Sequence, residues 1–215
     1  LKQLPDPPMV IFTRGTLDAM AGPKLAIVGT RSPDNAARSY AETLAFRLAQ
    51  ADNVIVSGFA AGIDKAAHFG TMKAKGRTIA VLGSNLDAVR MPSSSPDVDE
   101  LRNYTMKHGL FITEQTQLWC NQSRNAVVAA LMARNRIIAA LADATIVIAS
   151  SGSGGALHTA ERARRLGKRV WIVDWRDNRY LGNLKLLLGG AGSLPDEPNE
   201  AAEVIINASR SAYSG

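Results

Sequence analysis

The sequence predicts one α/β domain built on a mostly parallel sheet with helices on both faces. Short apolar runs alternate with longer amphipathic stretches along the chain, as they do where helical crossovers join parallel strands. The runs are rich in Val and Ile and lack the polar alternation of a half-exposed strand, which is typical of strands covered on both faces. A length of 215 residues fits a single domain.

Seven apolar runs predict the strands. Each run is three to five residues long, which is enough for a short buried strand. Residues 1–23 are expected to hold an N-terminal extension and the first strand. The predicted strands are residues 10–13, 25–28, 54–56, 78–82, 110–113, 145–149 and 170–173.

Six amphipathic stretches predict the helices. In the first, apolar residues recur at steps of three and four from Ala37 to Leu48, so they share one face. The last lies in the C-terminal segment 195–215 and begins with Pro198 and Asn199 in capping-type positions. The predicted helices are residues 36–51, 63–75, 96–108, 122–141, 157–167 and 198–208, with loops at 91–97 and 175–182.

Composition excludes several classes of protein. With 46% hydrophobic and 20% charged residues, the chain is not of the disordered type. No apolar run approaches the roughly 18 residues of a membrane span, and the N-terminus has no stretch of signal-peptide length. Cys120 is the only cysteine, which excludes an internal disulfide and a multi-cysteine zinc site. We therefore expect a soluble, reduced, cytoplasmic protein with no membrane partner.

Positive charge is concentrated in the second half of the chain. The net charge is +6, and residues 124–185 alone hold 11 Lys and Arg against 4 Asp and Glu, a surplus of +7. Such clustering favours an anionic partner, of which nucleic acid is the most common. A solvated basic face is the alternative.

Two early strand exits combine small residues with polar groups. Gly29, Thr30 and Arg31 follow the run 25–28, where free amides and a guanidinium attract phosphate; a plain turn with an exposed arginine is the alternative. The run 54–56 is followed by the segment 57–68, SGFAAGIDKAAH, in which Ser57, Gly58 and Gly62 allow close approach of an anion. This is not the dinucleotide fingerprint G-x-G-x-x-G, so no such cofactor is expected.

Four ionisable side chains near the strand exits or on a helix have more than one interpretation. His68 follows Asp64 by one helical turn and could pair with it, or could be a packing histidine. Glu114 ends the fifth run as a candidate ligand or base, or as a structural carboxylate. Arg134 and Arg136 interrupt an apolar helix and must face a site, an acidic pair or solvent; we favour a site.

The strongest phosphate-binding pattern follows the run 145–149. Its exit reads SSGSGG and leads into a helix, so hydroxyls and bare amides converge at a helix N-terminus. A flexible loop is the alternative, and the absence of Gly-Lys-Ser/Thr excludes a Walker loop. No exit offers a nucleophile–base pair or a metal cluster, so the residues indicate a phosphate binder rather than a catalyst.

Five sequence segments follow one another in a distinctive order: PPMVIFTRG at 7–15, AIVGTR at 26–31, VSGFAAGIDKAAH at 56–68, TIAVLG at 78–83 and RNRIIA at 134–139. This ordered set resembles the DNA-processing protein A family, also called DprA or Smf. The resemblance implies an extended Rossmann-like domain that binds single-stranded DNA, as a homodimer, and assists RecA loading in recombination and natural transformation. It implies no cofactor.

The resemblance also assigns roles to residues. Arg31 would contact a backbone phosphate, and Arg134 and Arg136 would support or extend the pocket. Lys185, in the late motif GNLKLL, would add a phosphate contact. The remaining residues of the implied DNA-binding set are Gly29, Thr30, Ser57, Gly58, Gly62, Ser151, Gly152, Ser153 and Gly154.

The chain departs from the family pattern at several strand exits, so it resembles a divergent member. Leu131 and Met132 stand where the family has Phe-Pro, Gly154 to Ala156 replace Ser-Gly-Thr, and Asp174 and Trp175 replace Pro-Gly. A Tyr-Pro-rich stretch becomes RMPSS at 90–94. The apolar stretch 181–188 could form an edge used in dimerisation or ordinary core.

Two other functions remain open. A nucleoside-monophosphate phosphoribohydrolase of the LOG type has the pattern PGGxGTxxE, and the segment 154–161, GGALHTAE, comes close but lacks the proline. Its Glu161 follows Thr159 by two residues rather than three, a rotation of about 100° on a helix. A nucleotide-binding or molybdenum-cofactor-carrier module without turnover is the second alternative.

Overall fold

The computed structural model describes residues 1–89, 95–116, 123–177 and 179–213. Cys120, residues 91–94 of the predicted loop, the departure at 90–94 and the predicted helix start at 122 lie outside these residues. Among the described residues, no helix combines the length and the apolar composition needed to cross a bilayer.

Within the described ranges, eight strands form one sheet, in the order β1-β5-β4-β3-β2-β6-β7-β8. The edge strand β1 pairs antiparallel with β5, and the other six pairings are parallel. This confirms the predicted mostly parallel sheet. The strands are β1 Phe12–Gly15, β2 Lys24–Val28, β3 Val54–Ser57, β4 Thr78–Val81, β5 Leu110–Thr113, β6 Ala144–Val147, β7 Arg169–Val173 and β8 Gly192–Leu194.

Seven α-helices in the described part of the chain accompany the sheet. Two short 3-10 turns, Leu17–Met20 and Leu86–Val89, follow β1 and β4. The helices are α1 Asn35–Gln50, α2 Ile63–Lys73, α3 Pro96–His108, α4 Arg124–Leu141, α5 Gly155–Arg165, α6 Leu181–Leu188 and α7 Pro198–Tyr213.

The helices cover both faces of the sheet, as the unbroken apolar runs predict. In β2, Leu25 and Ile27 point to a core shared with α1, α2 and α7. Ala26 and Val28, the alternate residues, point to a second core that includes α4 and α5. A strand buried on both faces leaves only its ends near solvent, so polar chemistry is confined to the strand exits.

Three elements differ from the sequence prediction. The first strand is Phe12–Gly15 rather than 10–13, because the antiparallel ladder with β5 extends to Gly15 opposite Leu110. The strand β8 was not predicted, since Gly192–Leu194 has no apolar pattern; it forms against the free edge of β7. The stretch 181–188 is helix α6, with Leu181 and Leu188 exposed and Leu186 buried.

The strand order creates a crevice at one place. Strand β2 lies between β3 and β6, so the connections leaving β2 and β6 run in opposite directions across the sheet. In open parallel sheets, ligands bind at such a switch point, beyond the carboxyl ends of the strands. The exits of β2 and β6 are two of the three strand exits at which the sequence predicts phosphate binding.

Candidate functional site

A cavity of about 360 Å³ lies at the switch point. We call it the switch-point cavity. The exits of β2 and β6 form two of its walls, and the helix α4 forms a third. Seven residues of the predicted binding set line it: Gly29, Thr30, Arg31, Arg134, Ser151, Ser153 and Gly154.

The β2 exit is held across the crevice by backbone hydrogen bonds. The amide of Thr30 donates to the carbonyl of Ala149 at 2.7 Å, and the amide of Ile63 donates to the carbonyl of Thr30 at 3.2 Å. A Cβ at Gly29 would meet Ile63 and the Ala149 carbonyl, so glycine is required for this close approach. The turn therefore presents the next residue, Arg31, in a fixed position.

Arg31 is exposed at the cavity wall. Its guanidinium forms no ion pair with any residue that the structure describes. Arg31 is also close enough to Arg134 for its charge to lower the pKa of that guanidinium, although burial lowers it more. An unpaired guanidinium offers several donors to a phosphate, so Arg31 is the strongest candidate contact.

The β6 exit presents uncapped amides. Residues 151–154 are exposed, and Gly154, at φ 127°, is the N-cap of α5 without a side-chain hydrogen bond to the first turn. The hydroxyl of Ser151 donates to the carbonyl of Ser153 at 2.6 Å. The first amides of a helix lack internal partners and carry partial positive charge, so this N-terminus is suited to an anion.

Side chains from α4 and α6 hold the loop between β6 and α5. The amide group of Asn135 donates to the carbonyl of Gly155 at 3.3 Å, and Asn183 accepts from the amide of Ser150 at 2.8 Å. A Cβ at Gly182 would collide with the carbonyl of Ser151. Both ends of the loop are therefore anchored, and only its tip is free to adjust to a ligand.

Arg134 forms the floor of the switch-point cavity. The guanidinium, only 5% exposed, donates to the carbonyls of Gly58 and Val81 at 2.5 and 2.6 Å and from Nε to Asn135 at 3.0 Å. Its Nη2 lies 3.7 Å from Oδ2 of Asp64. A Cβ at Gly58 would overlap the guanidinium, so this glycine makes room for Arg134 rather than for a ligand.

Asp64 is the buried partner of Arg134. Burial raises the pKa of the Asp64 carboxyl, whereas the charge of Arg134 and hydrogen bonds from the amides of Ala60 and Gly58 oppose that rise. The pair is therefore a satisfied internal network. Arg134 lines the cavity but directs most of its donors to the protein, so it supports the site more than it offers contacts.

The structure does not bring Arg136 to the cavity. Its guanidinium binds Glu114 with two hydrogen bonds of 2.6 and 2.7 Å and Asp6 through Nε at 3.0 Å. Hydrogen bonding to Glu114 is the main reason that the pKa of Arg136 is raised. Of the three environments open to this arginine, the structure shows an acidic pair, and Glu114 is the structural carboxylate that completes it.

His68 does not pair with Asp64 as the helical spacing allowed. The ring is fully buried, and its Nδ1 lies 2.6 Å from the hydroxyl of Thr78. Burial, with a contribution from the charge of Arg134, lowers the pKa of His68 to about 3. It is therefore a neutral packing histidine at neutral pH, away from the lining of the cavity.

Four other residues of the predicted set do not line the cavity. Ser57 is buried and donates to the carbonyl of Ile27 at 2.6 Å. Gly62, at φ 81°, starts α2, and a Cβ there would collide with the carbonyl of Thr30. Gly152 lies in the exposed loop, and Lys185 is exposed on α6, outside the lining.

The sequence prediction missed a second, more apolar cavity of about 450 Å³. It adjoins the switch-point cavity, because Arg31, Ala60 and Leu131 line both. Lys65 and Arg102 add two cations to that of Arg31, and Nζ of Lys65 lies 6.0 Å from the ring centroid of Phe59. Lys65 stands within the segment 57–68, but helical spacing alone did not distinguish it from a solvent-facing lysine.

No metal centre is formed by the residues that the structure describes. They contain no group of three or more His, Cys, Asp or Glu side chains placed to hold an ion. The two arginine–carboxylate clusters are satisfied internally, as their hydrogen bonds show. The described lining of the switch-point cavity therefore offers amides, hydroxyls and the unpaired guanidinium of Arg31.

Comparisons with known proteins agree with this architecture. The family model for DNA recombination-mediator protein A matches residues 1–205. The chain is 32% identical over 197 residues to the DNA processing protein DprA of Bacillus subtilis, covering 90% of this chain and 63% of that protein. It is 34% identical over 177 residues to the protein Smf of a Synechocystis strain, covering 80% of this chain and 42% of that protein. The chain thus spans about half the length of these curated relatives.

Solved structures give the same result. DNA processing protein A from Helicobacter pylori has a TM-score of 0.80 at 25% identity, covering 98% of this chain and 91% of that one. DprA from Streptococcus pneumoniae has a TM-score of 0.76 at 31% identity, covering 93% and 67%. A molybdenum-cofactor-binding protein from Rippkaea orientalis, at a TM-score of 0.60 and 20% identity, shares the fold alone. With its sheet, its ordered motifs and these matches, the chain belongs to the DNA recombination-mediator protein A family of DNA-processing proteins.

Proposed function

We propose that the chain binds single-stranded DNA through its backbone phosphates at the switch-point cavity. The observation that supports this most is the pairing of two anion-binding features across one crevice. The unpaired guanidinium of Arg31 lies on one wall and the uncapped N-terminus of α5 on another. Both features recognise phosphate oxygens without reading a base, which suits a protein that handles DNA of any sequence.

The family relationship supports the same ligand. The solved H. pylori relative was studied for its single-stranded DNA binding mode, and the family is named for recombination mediation. On this basis we propose that the chain acts as a homodimer and assists RecA loading without catalysing a reaction. Because the chain spans only part of the length of its curated relatives, RecA and the homodimer are proposals that rest on the family relationship.

A titration of DNA binding tests the proposed ligand. Labelled single-stranded and double-stranded oligonucleotides are titrated at two ionic strengths, with fluorescence anisotropy as the readout. We expect preference for the single strand and a steep loss of affinity with salt, because each phosphate contact contributes about 0.7 to the logarithmic salt slope. Absence of binding at low salt, or binding that salt does not change, would contradict the proposal.

The variant Arg31→Ala tests the site. We expect roughly tenfold weaker binding to all single-stranded sequences and a smaller salt slope, because the substitution removes a charge-assisted hydrogen bond to phosphate. The matched control is Arg47→Ala, an exposed arginine in the last turn of α1, which should bind as the unchanged chain does. Equal affinities for the two variants would show that DNA binds outside the switch-point cavity.

The hydrolase alternative is less well supported by the geometry. Glu161, the carboxylate that a LOG-type reaction would use, does not line the cavity and instead lies 3.8 Å from His158 on the surface of α5. Incubation with a panel of nucleoside monophosphates tests this alternative. Release of free base would establish an enzyme, whereas thermal stabilisation by mononucleotides but not by oligonucleotides would indicate a nucleotide-binding module.

A further inference from the structure

Another basic cavity lies at the opposite end of the sheet from the switch-point cavity. We call it the amino-end groove, because it opens where β7 begins, between the turn after α5 and the turn before β8. It is open to solvent and has a volume of about 570 Å³. Its lining includes Arg164, Lys168, Arg169, Trp171, Gly190 and Gly192.

Two arginines of the amino-end groove are free to bind a ligand. Arg164 and Arg169 are exposed, and neither forms an ion pair with a residue that the structure describes. Lys168 differs, because its ammonium donates to the carbonyls of Ala140 and Ala142 at 2.7 and 2.6 Å. No described lining residue of the groove carries a carboxylate, so its charge is entirely positive.

The groove also contains the aromatic ring of Trp171. The guanidinium of Arg169 lies 5.3 Å from the ring centroid of Trp171. Trp171 pairs with Gly192 in the sheet, and a Cβ at Gly192 would lie 2.5 Å from a ring carbon, so the glycine gives the ring its space. Gly190 has φ 88°, and a Cβ added at this position would have no neighbour within 4 Å. The groove thus combines cations, an aromatic ring and bare backbone.

The helix α5 runs between the switch-point cavity and the amino-end groove. Gly154 and Gly155 at its N-terminus line the switch-point cavity, and Arg164 in its last turn lines the amino-end groove. Eleven residues at a rise of about 1.5 Å each give a separation of about 16 Å. Between them, α5 carries the exposed His158 and the partly exposed Glu161 and Arg162. A strand of a few nucleotides can cover this distance.

We propose that the amino-end groove is a second contact for the phosphodiester backbone of single-stranded nucleic acid. Cations that follow a backbone beside an aromatic ring are the features that bind single strands without sequence preference. This inference rests on the proposed function, because it adds a second contact to a strand bound at the switch-point cavity. The groove engages only strands long enough to pass along α5.

Titration with two oligothymidylates tests the second contact. One is a dinucleotide, which is too short to cover the separation of about 16 Å and fills a single cavity. The other has about thirty nucleotides and reaches both cavities, given site sizes of about 4–16 nucleotides for single-strand binders. For the double variant Arg164→Ala/Arg169→Ala we expect roughly tenfold weaker binding of the long strand. Its salt slope should fall by about 1.4, because each of the two arginines accounts for about 0.7. Binding of the short strand should stay unchanged.

The control separates a specific contact from a change of net charge. Arg47→Glu changes the charge by the same amount and also lies in the last turn of a helix, and it should bind both strands as the unchanged chain does. Equal weakening by Arg47→Glu, or an unaffected long strand in the double variant, would overturn the second contact.

Two further arms identify the ligand and isolate this inference. Poly-glutamate of matched charge should compete poorly with the long strand; equal competition would make the groove a general acidic-polymer site and overturn the assignment. Arg31→Ala should weaken both strands. If Arg31→Ala weakens them while the double variant has no effect, only the second contact fails. If neither strand binds the unchanged chain, the proposed function itself fails.

Discussion

The floor and the rim of the switch-point cavity differ in whether protein atoms satisfy their polar groups. The floor consists of Arg134, Asp64 and Asn135, whose buried polar groups are satisfied by protein atoms. The rim consists of Arg31 and the loop 151–154, which are exposed and leave their donors available. Both regions are rich in groups that bind phosphate, so residue type alone does not distinguish them.

This contrast in burial determines which substitutions report on ligand binding. A buried charge whose partner is removed costs far more free energy than an exposed charge does, so changes in the floor act mainly through stability. Changes in the rim act mainly through the ligand, because water already solvates those groups. The following predictions separate the two regions, in order of their expected effect on the free energy of unfolding.

Arg134→Ala should have the largest effect, a decrease of about 3–5 kcal/mol in the free energy of unfolding. The substitution leaves the carboxyl of Asp64 buried without its cation and removes the donors to the carbonyls of Gly58 and Val81. Urea denaturation followed by circular dichroism measures the decrease. Asp64→Asn combined with Arg134→Met is the control, since it removes both charges and should recover part of the stability. A decrease below about 1 kcal/mol would show that the floor is not structural.

Gly62→Ala should destabilise the fold by about 2–3 kcal/mol, because left-handed backbone and a steric collision act together. Gly62 has φ 81°, and a Cβ there would collide with the carbonyl of Thr30. The control is Gly167→Ala, which also has positive φ, 71°, but no neighbour within 4 Å of the built Cβ. Gly62→Ala should have the lower denaturation midpoint. Equal midpoints would mean that the backbone around Thr30 accommodates the added Cβ without loss of stability.

The stability of the chain should fall as the pH falls below about 6.5, partly because of His68. The folded pKa of His68 is lowered to about 3, so between these values the unfolded state binds a proton that the folded state does not. Each pH unit in that window then costs up to about 1.4 kcal/mol. Denaturation at about pH 7, 6 and 5 measures the trend, and His68→Gln should show a shallower one. If stability fell equally with pH in the two proteins, a group other than His68 would be responsible for the proton uptake on unfolding.

Arg31→Ala should have the smallest effect on stability, within about 0.5 kcal/mol, because the side chain is exposed and has no ion-pair partner among the described residues. The same variant is expected to bind DNA more weakly, since Arg31 is the proposed phosphate contact. Denaturation and DNA titration on one preparation give both numbers. A rim residue that proved as destabilising as Arg134 would remove the distinction between the two regions.

The sheet was predictable because burial on both faces leaves an unambiguous signal. Runs such as 110–113 coincide with the observed strand, and the alternation of strands with helices gives the parallel arrangement. The strand β8 was not predictable, because Gly192 and Ser193 carry no apolar pattern and are ordered by pairing with Ile172 and its neighbours. A strand that forms only by pairing with another segment cannot be recognised from the pattern of its own few residues.

The site was predictable in part, for a related reason. The exits of β2 and β6 were identified because glycines and hydroxyls follow apolar runs directly. The different environments of Arg134 and Arg136 could not be identified, since the acidic partners of Arg136 are Glu114 and Asp6, 22 and 130 residues away. Charge pairing over such separations depends on tertiary structure. The sequence therefore identified arginines at the site without distinguishing those already neutralised.

The basic last turn of α5 has a consequence for the direction of a bound strand. A helix dipole is negative at its C-terminus, yet Arg162, Arg164 and Arg165 offset that pole, while the N-terminal pole remains positive and uncapped. Helix α5 is thus attractive to phosphate at both ends. In the proposed binding mode, α5 imposes no 5′-to-3′ orientation on a strand that lies along it, and any polarity of binding must arise from contacts that recognise the asymmetry of the sugar.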